Sequence, residues 1–239
     1  FLILYRFNFC FMLKKSISFF VLIFNFLSLF SQDLDRRTLT MSPFHGVKVY
    51  SALDIKLIPS EVNKAVVYGD HKDDVVISIK NKIIKIKLTA KSVLNPGYTY
   101  IELYHSESLD RIVAHQGVTL SGEPIKQTSI KVEAKSGAVV TLKVDVDRLD
   151  AVTNTAGRMH LNGKATNFNL SLNSSGSCDA EKLTTQQSKI NSFLGGYAHI
   201  KVTNLLEAKV VGGGVLRVYG KPIKQITQAN LLGKIIIEE

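Results

Sequence analysis

Three side chains capable of metal binding or proton transfer recur at nearly equal intervals in the second half of the chain. His160, Asp179 and His199 are separated by 19 and 20 residues, and Arg217 follows 18 residues later. Two imidazoles and a carboxylate could hold a divalent metal ion or pass a proton if the fold brings them together. The alternative is a solvated row of polar side chains. We expect no metal and no other cofactor, and keep His160, Asp179 and His199 as candidate ligands.

A second group of acidic side chains lies between Val144 and Asp150. Asp145 and Asp147 are two residues apart, so a β-strand would place both carboxylates on one face. Paired carboxylates serve the hydrolysis of glycosidic bonds and related polysaccharide chemistry. Arg148 follows directly, which favours a solvated or salt-bridged face over an acid–base pair. The sequence therefore predicts no catalytic residue.

A third group is a basic strip interleaved with apolar residues. It consists of Lys80, Lys82, Lys85, Lys87 and Lys91. Outward lysines could contact acidic polysaccharide, lipid phosphates or nucleic acid, and they also keep an exposed strand from pairing with another chain. We favour this last role. Nucleic acid is disfavoured because no aromatic stacking platform accompanies the lysines.

The sequence lacks the motifs of common catalytic sites. It contains no HExxH and no GxSxG, and His45, His71, His105 and His115 show no metal-ligand spacing. The run Gly212–Gly214 lies between predicted strands rather than before a helix, so it does not indicate a phosphate loop. These observations favour a protein that is not an enzyme.

The elements that would position these side chains follow a glycine period. Glycine returns at intervals of 20, 20, 19, 20 and 18 residues, at positions 117, 137, 157, 176, 196 and 214. Such a period is typical of stacked coils. We expect each glycine to supply positive φ at a corner between strands. From Gly137 onward, the position two residues after each glycine is apolar, and the position three after it reads Val140, His160, Asp179, His199, Arg217.

The spacing of the apolar residues predicts strands in every coil. Phe168, Leu170 and Leu172 alternate with polar residues, which is typical of a strand with one buried face. We predict an all-β chain, with a right-handed parallel β-helix of coils of about 20 residues over 117–239. An antiparallel β-sandwich is the alternative, although it has less reason to keep a constant period.

A β-rich N-terminal section is predicted to precede the coils, over residues 44–116. Strands are expected to start at Phe44, after a polar lead-in over 32–43. The runs 75–80 and 83–88 are predicted to form a hairpin or two strands joined by a tight turn, and Tyr98, Tyr100 and Glu102 should share one face of a further strand. No long segment shows helical periodicity.

The first 31 residues are predicted to be a signal peptide. Lys14 and Lys15 precede an apolar run over 16–30, and Ser31 stands at its end. Met12 is the expected start, and an uncleaved membrane anchor is the alternative. Cleavage would remove three basic residues and lower the net charge from +10 to +7. It would leave Cys178 as the one cysteine, in an apolar column that predicts a core side chain.

Several segments resemble the putative auto-transporter adhesin, head GIN domain family. The resemblance covers about residues 44–236 and is carried by Ser-Gly-Ala and Ser-Ser-Gly steps and by the segments Phe44–Val49, Val67–Asp70, Ile101–Leu103 before Leu109–Ile112, Gly220–Pro222 and Gly233–Ile235. The chain departs from the family's pattern at Thr155–Gly157 and Leu194–Gly196, where the usual Ser before Gly is missing. The resemblance implies a β-helical fold and an envelope location in Bacteroidetes-type bacteria. Because its motifs are structural, it implies no catalytic residue.

The sequence and this resemblance together favour an exported, adhesin-like binding or structural module. We expect it to be periplasmic, surface-held or secreted, and to contact glycans or other envelope polymers. No nucleic acid is expected, and the membrane is involved only through the export signal. The alternative is a polysaccharide lyase or hydrolase built on a β-helix, using Asp145 and Asp147 or a metal at His160 and His199.

Overall fold

The computed structural model of the chain describes residues 36–95 and 97–238. The predicted signal peptide over residues 1–31 lies outside the described residues and stays a prediction. The described part is 69% β-strand with almost no helix, and it winds into a solenoid of about seven turns. The predicted all-β, coiled architecture is confirmed.

Nine short strands build the N-terminal part of the solenoid. They are β1 (Arg36–Thr40), β2 (Gly46–Val49), β3 (Asp54–Pro59), β4 (Lys64–Gly69), β5 (Val75–Lys80), β6 (Ile83–Leu88), β7 (Thr99–His105), β8 (Arg111–His115) and β9 (Thr119–Gly122). A 3-10 turn at Lys72–Asp74 and the one-turn helix α1 (Ala90–Val93) are the helical pieces of the described residues. The predicted hairpin 75–80/83–88 is present as β5 and β6.

Longer strands continue the solenoid, and each of the longest spans most of a coil. They are β10 (Ile125–Lys135), β11 (Val139–Asn154), β12 (Arg158–Asn173), β13 (Ser177–Phe193), β14 (Tyr197–Val211), β15 (Val215–Tyr219), β16 (Lys224–Asn230) and β17 (Lys234–Ile237). Within β11 and β12 the pairing is interrupted at Asp147 and Thr166, where the strand bends. Each coil therefore has two strand segments, a bend and a tight turn.

The segments on either side of the bend stack into two sheets. The first sheet runs β1-β4-β7-β3-β9, then the leading halves of β11 to β14, then β15 and β17. The second runs β5-β6-β2-β8, then the trailing halves of β10 to β14, then β16. Most pairs are parallel, and neighbouring strands, here called rungs, lie about 4.8 Å apart.

The core lies between the two sheets because apolar residues alternate with polar ones along each strand. Phe168, Leu170 and Leu172 are all buried, as their spacing predicts, and so are Met159 and Leu161 on the opposite segment. Each fully buried side chain of this size stabilises the fold by about 1.5–3 kcal/mol. Alternation leaves every second side chain on an outer face, where rungs align chemically different residues into rows.

The N-terminal end of the solenoid is closed by antiparallel pairs. β1 pairs with β4, β4 pairs with β7, and β5 pairs with β6, each antiparallel. The expectation that strands start at Phe44 is wrong, because β1 already begins at Arg36. Its alternating pattern is hard to detect in the sequence, since none of its residues is fully buried.

The tight turn between coils holds two consecutive residues with positive φ. These pairs are residues 51–52, 116–117, 136–137, 155–156, 174–175, 194–195, 212–213 and 231–232. Gly137 lies inside such a pair, whereas Gly157 follows one. The expectation that every periodic glycine supplies positive φ is therefore wrong. A Cβ at Gly157 would overlap the carbonyl oxygen of Ala134 on the neighbouring rung, so close approach requires glycine there.

Candidate functional site

The outward row of the first sheet contains the predicted ligands. His160 pairs with Asp179, Asp179 with His199, and His199 with Arg217. The residue beside His160 on the preceding rung is Thr141. The prediction that Val140 occupies this outward position is wrong, because Val140 is fully buried. The error arises because Gly137 sits one position earlier in its turn than Gly157 does.

The three predicted ligands do not converge on one point. His160 Nδ1 lies 3.8 Å from Asp179 Oδ2. The group that does converge is Asp179, Glu181 and His199, whose ligand atoms all lie within 4.8 Å of one another. Glu181 follows Asp179 at the two-residue interval of one strand face, and an irregularity in the pairing of β13 with β14 begins at Glu181. There the pairing jumps from Ala180 to Thr184 while β14 advances by one residue.

The surroundings of His199 orient its ring. The Tyr197 hydroxyl lies 2.7 Å from His199 Nε2, and the Tyr219 ring meets the imidazole edge-on at 5.8 Å. Arg217, the next residue in the row, donates to Glu238 at 2.6 Å. The positive charge beside His199 is therefore paired with a carboxylate.

The acidic segment of β11 is spread around the bend. Asp145 lies before it, Asp147 at it, and Asp150 on the second sheet. Arg148 donates to both Asp150 oxygens at 2.9 and 3.2 Å, and Asn169 donates to one at 2.7 Å. Partial burial acts to raise the pKa of Asp150, but hydrogen bonds from Arg148 and Asn169 outweigh it and lower the pKa. Asp150 therefore stays ionised and is unsuited to act as a proton donor.

The basic strip lies at the N-terminal end of the second sheet and is exposed throughout. Lys82 pairs with Glu107 at 3.2 Å, and Lys85 lies over the Tyr50 ring at 5.0 Å from its centroid. The strip comprises β5–β6 hairpin residues and one residue of α1: Lys80, Lys82, Lys85, Lys87 and Lys91. β5 is the edge strand of the second sheet, so these charges lie where protection against strand addition is needed.

A group of tyrosines that sequence reasoning missed occupies the N-terminal end of the first sheet. We call it the tyrosine patch: Tyr68, Tyr98, Tyr100 and Tyr104. Tyr68 and Tyr100 stack with ring centroids 5.9 Å apart, and Tyr98 is 60% exposed. The alternation of Tyr98, Tyr100 and Glu102 gave part of the signal. Tyr68 lies beside Tyr100 only because β4 pairs antiparallel with β7, and no local sequence pattern predicts this pairing.

Carboxylates hold the tyrosine hydroxyls in place. Glu102 accepts hydrogen bonds from Tyr68 at 3.2 Å and Tyr104 at 3.0 Å, and Asp54 accepts one from Tyr98 at 2.9 Å. The bond to Asp54 raises the pKa of Tyr98, whereas burial is the main cause of the raised pKa of Tyr104. The phenols of Tyr98 and Tyr104 therefore remain protonated donors at neutral pH. The patch combines flat apolar rings with fixed hydrogen-bonding groups.

A shallow cleft of about 310 Å³ lies at the C-terminal ends of β3 and β7. Its walls come from residues 59–60, 105–109 and 124–127. His105 Nδ1 lies 2.9 Å from the Glu107 carbonyl oxygen, and burial lowers the pKa of His105. The imidazole is therefore neutral at physiological pH, and the cleft carries no fixed charge from it.

No helix within residues 36–95 and 97–238 is long and apolar enough to cross a membrane. No curated protein matches the sequence. Solved structures match closely in fold. A putative adhesin from Bacteroides fragilis NCTC 9343 is 17% identical, with a TM-score of 0.75, over 87% of this chain and 98% of that one. A putative adhesin from Parabacteroides merdae ATCC 43184 is 20% identical, with a TM-score of 0.69, over the same shares.

A third similar structure carries a different description. It is a putative lipid binding protein from Parabacteroides distasonis ATCC 8503, 18% identical, with a TM-score of 0.64, over 86% of this chain and 96% of that one. At these identities the likeness establishes the fold. The family model described as putative auto-transporter adhesin, head GIN domain, matches residues 43–222. Together with the coiled fold, this match shows that the chain belongs to the head GIN domain family of putative auto-transporter adhesins.

Proposed function

We propose that the protein is an exported, non-catalytic binding module of the cell envelope, and that it contacts glycan chains through the tyrosine patch. Membership of an adhesin family supports a role in surface binding. The observation that carries the ligand class is the patch itself, in which four tyrosines and two carboxylates lie together on one outward face.

The chemistry of the patch suits a sugar. Aromatic rings offer flat apolar surfaces on which the C–H face of a pyranose can stack, and tyrosine adds a polar edge. Glu102 and Asp54 supply acceptors for sugar hydroxyls near those rings. Because paired strands hold Tyr68, Tyr100 and Tyr104, and Asp54 holds the Tyr98 hydroxyl, little conformational entropy is lost on binding. An elongated sheet face also suits a polymer that lies along it.

The acidic residues of β11 favour a non-catalytic role. Asp145 is exposed before the bend and Asp147 is exposed at it, and Asp150 is held ionised by Arg148. A glycosidase of the usual kind needs one carboxyl group kept protonated and a second facing it across the substrate. Asp145, Asp147 and Asp150 all come from β11, so a facing carboxyl group would have to come from another strand.

Export belongs to the same proposal. The apolar run over 16–30 after Lys14 and Lys15 has the composition of a signal peptide. We place the mature protein in the periplasm, on the cell surface or in the medium. Mass spectrometry of the protein recovered from a bacterial host would test this, with a mature N-terminus near residue 32 as the expected result.

A glycan and envelope-polysaccharide binding screen at low and high salt tests the ligand. We expect binding that persists at high salt, because stacking and neutral hydrogen bonds are weakly screened. Released reducing ends or unsaturated products are assayed in the same wells, and their formation would overturn the non-catalytic assignment. Anionic lipid vesicles serve as a competing probe. Salt-sensitive binding would move the contact to the basic strip.

Variants locate the contact. Tyr98→Ala removes the most exposed ring of the patch and should weaken glycan binding about tenfold or more, equivalent to about 1.4 kcal/mol. Tyr50→Ala is the matched control, because Tyr50 packs against His115 and Lys85 away from the patch. Equal binding by the wild type and Tyr98→Ala would place the site elsewhere.

A further inference from the structure

The Asp179, Glu181 and His199 cluster lies on the same outward face as the tyrosine patch but toward the other end. Six rungs separate β7 from β14 in the first sheet, or about 29 Å at the usual spacing. A ligand on the tyrosine patch therefore does not account for this cluster, which requires an explanation of its own.

The cluster lies at an irregularity in the pairing of β13 with β14. Residues 181–183 have no partner in β14, because β14 passes directly from the partner of Ala180 to that of Thr184. Glu181 follows Asp179 on the outer face of β13 and is the first residue of this bulge, and its carboxylate lies within 4.8 Å of ligand atoms of Asp179 and His199. Bulges commonly redirect side chains beside functional sites.

The carboxylate of Asp179 is steered toward this bulge. The backbone N–H of Glu181 donates to Asp179 Oδ1 at 3.4 Å, while Oδ2 faces His160 Nδ1 at 3.8 Å. His160 lies on the rung before Asp179, on the opposite side from His199, and outside the converging group. Asp179 can therefore contribute an oxygen to the cluster while keeping its contact with His160.

The hydrogen bond at His199 prepares the ring to act as a ligand. If Nε2–H donates to the Tyr197 oxygen, 2.7 Å away, the lone pair of Nδ1 is available. This arrangement, a ring nitrogen held by a protein oxygen while the other is free, is the usual support of a metal-binding histidine. Arg217 does not oppose a cation strongly, because Glu238 pairs with it.

We propose that Asp179, Glu181 and His199 form a surface site for a divalent transition metal, with Zn²⁺ as the preferred ion. One imidazole nitrogen and two carboxylate oxygens suit Zn²⁺ better than Ca²⁺ or Mg²⁺, which favour all-oxygen sets. Three protein ligands leave at least one coordination position open to solvent or to an external donor. The site does not rest on the proposed glycan contact.

Isothermal titration of the protein with Zn²⁺ tests the proposal. We expect one site per chain, and affinities for Mg²⁺ and Ca²⁺ at least tenfold weaker. His199→Gln and Glu181→Gln should each weaken Zn²⁺ binding at least tenfold. His160→Gln is the matched control, because His160 touches Asp179 but lies outside the cluster, and its affinity should stay within threefold of the wild type.

Circular dichroism and thermal unfolding without metal establish that each variant is folded. The same melts with Zn²⁺ should show a rise in Tm for the wild type and for His160→Gln, and a smaller rise for His199→Gln. Unchanged affinity in His199→Gln would overturn the site. A loss in His160→Gln as large as that in His199→Gln would overturn the ligand set.

Discussion

Glu133 is a carboxylate on the outer face of the second sheet that is nevertheless buried. Its side chain is 4% exposed, and it contacts Arg111 at 2.6 Å, Lys135 at 2.5 Å and Lys131 at 3.5 Å. The long cationic side chains cover the carboxylate while keeping their own charged ends in water. A buried charge is tolerated only when it is paired in this way. Glu133 therefore ties together β8 and β10.

Replacing Glu133 with Gln should destabilise the protein by about 1–3 kcal/mol, because two charge-assisted hydrogen bonds are weakened. The partners are themselves partly solvated, which limits the effect. Urea unfolding monitored by circular dichroism measures it. Glu207→Gln is the matched control, since Glu207 meets Lys189 at 3.4 Å in the open, and it should cost under about 0.5 kcal/mol. Equal costs would show that burial of Glu133 is unimportant.

Glu133 also makes the stability of the protein depend on pH. Partial burial acts to raise the pKa of Glu133, but Lys135 and Arg111 outweigh it and hold the pKa below its ordinary value of 4.5. Its contribution to stability is therefore complete above pH 4.5 and is lost as the pH falls through the lower, folded-state pKa. The stability difference between wild type and Glu133→Gln should shrink below pH 4.5. A constant difference from pH 7 to pH 3 would contradict this assignment.

Cys178 is expected to be chemically inert in the folded protein. Its side chain is buried in the core, and burial raises the pKa of the thiol well above its usual range. In a Cys10→Ser chain, a colorimetric thiol reagent at pH 8 should label Cys178 only at the rate of unfolding. Rapid labelling under native conditions would show that this part of the core opens locally.

At the scale of the element, the tight turn decides where glycine is needed. Each turn uses two residues with positive φ, and these include serine, threonine, alanine and leucine as well as glycine. Leu231 and Leu232 occupy such a pair at φ 48° and 66° while being 75% and 89% exposed. Bulky residues in this region are strained. The turn is therefore imposed by the stacking of coils rather than by local preference.

Two substitutions compare the two reasons for glycine, which are close approach of a neighbouring backbone at Gly157 and positive φ at Gly137. Gly157→Ala should destabilise the protein by about 2–4 kcal/mol, because the new Cβ would overlap the carbonyl oxygen of Ala134. Gly137→Ala should cost about 1–2 kcal/mol, because its site has φ 74° but nothing within 4 Å of a Cβ. Urea unfolding of both variants measures the difference. A larger loss of stability in Gly137→Ala than in Gly157→Ala would contradict the prediction that close approach is the stronger requirement.

At the scale of the whole molecule, the two ends of the solenoid differ. Antiparallel strands cover the N-terminal end, whereas β16 is exposed along its entire length. Ile226 is 52% exposed on this strand. In a solenoid, each coil is stabilised mainly by its neighbours, so an end coil with one neighbour is the least stable. Stability should therefore fall from the middle of the molecule toward β16 and β17.

Hydrogen exchange followed by mass spectrometry measures this gradient. Amides of β12 and β13 should exchange most slowly, and those of β16 and β17 should exchange at least tenfold faster. The comparison is made at two protein concentrations. Concentration-dependent protection of β16 would show that another copy covers this end, and protection equal to that of β12 at both concentrations would contradict the gradient.

Local periodicity was sufficient to predict the β-structure, the coils and most of the core. Alternation at Phe168, Leu170 and Leu172 identifies buried positions because a strand places every second side chain inside. The β5–β6 hairpin and the core position of Cys178 followed in the same way. The family resemblance agreed with the match that the chain shows over 43–222.

The composition of the outer faces depended on tertiary structure. Aligning the coils on their glycines was wrong by one residue at Gly137. The prediction therefore placed Val140 on the outer face instead of Thr141, because neighbouring residues of a strand face opposite sides. Glu181 lies near His199 because β14 pairs with β13, with a bulge that begins at Glu181, and Tyr68 reaches Tyr100 only through antiparallel pairing. The sequence determines which residues alternate within a strand. Which strands are neighbours, and in what register, is decided by packing of the whole chain, because rungs bring together residues that are far apart in sequence.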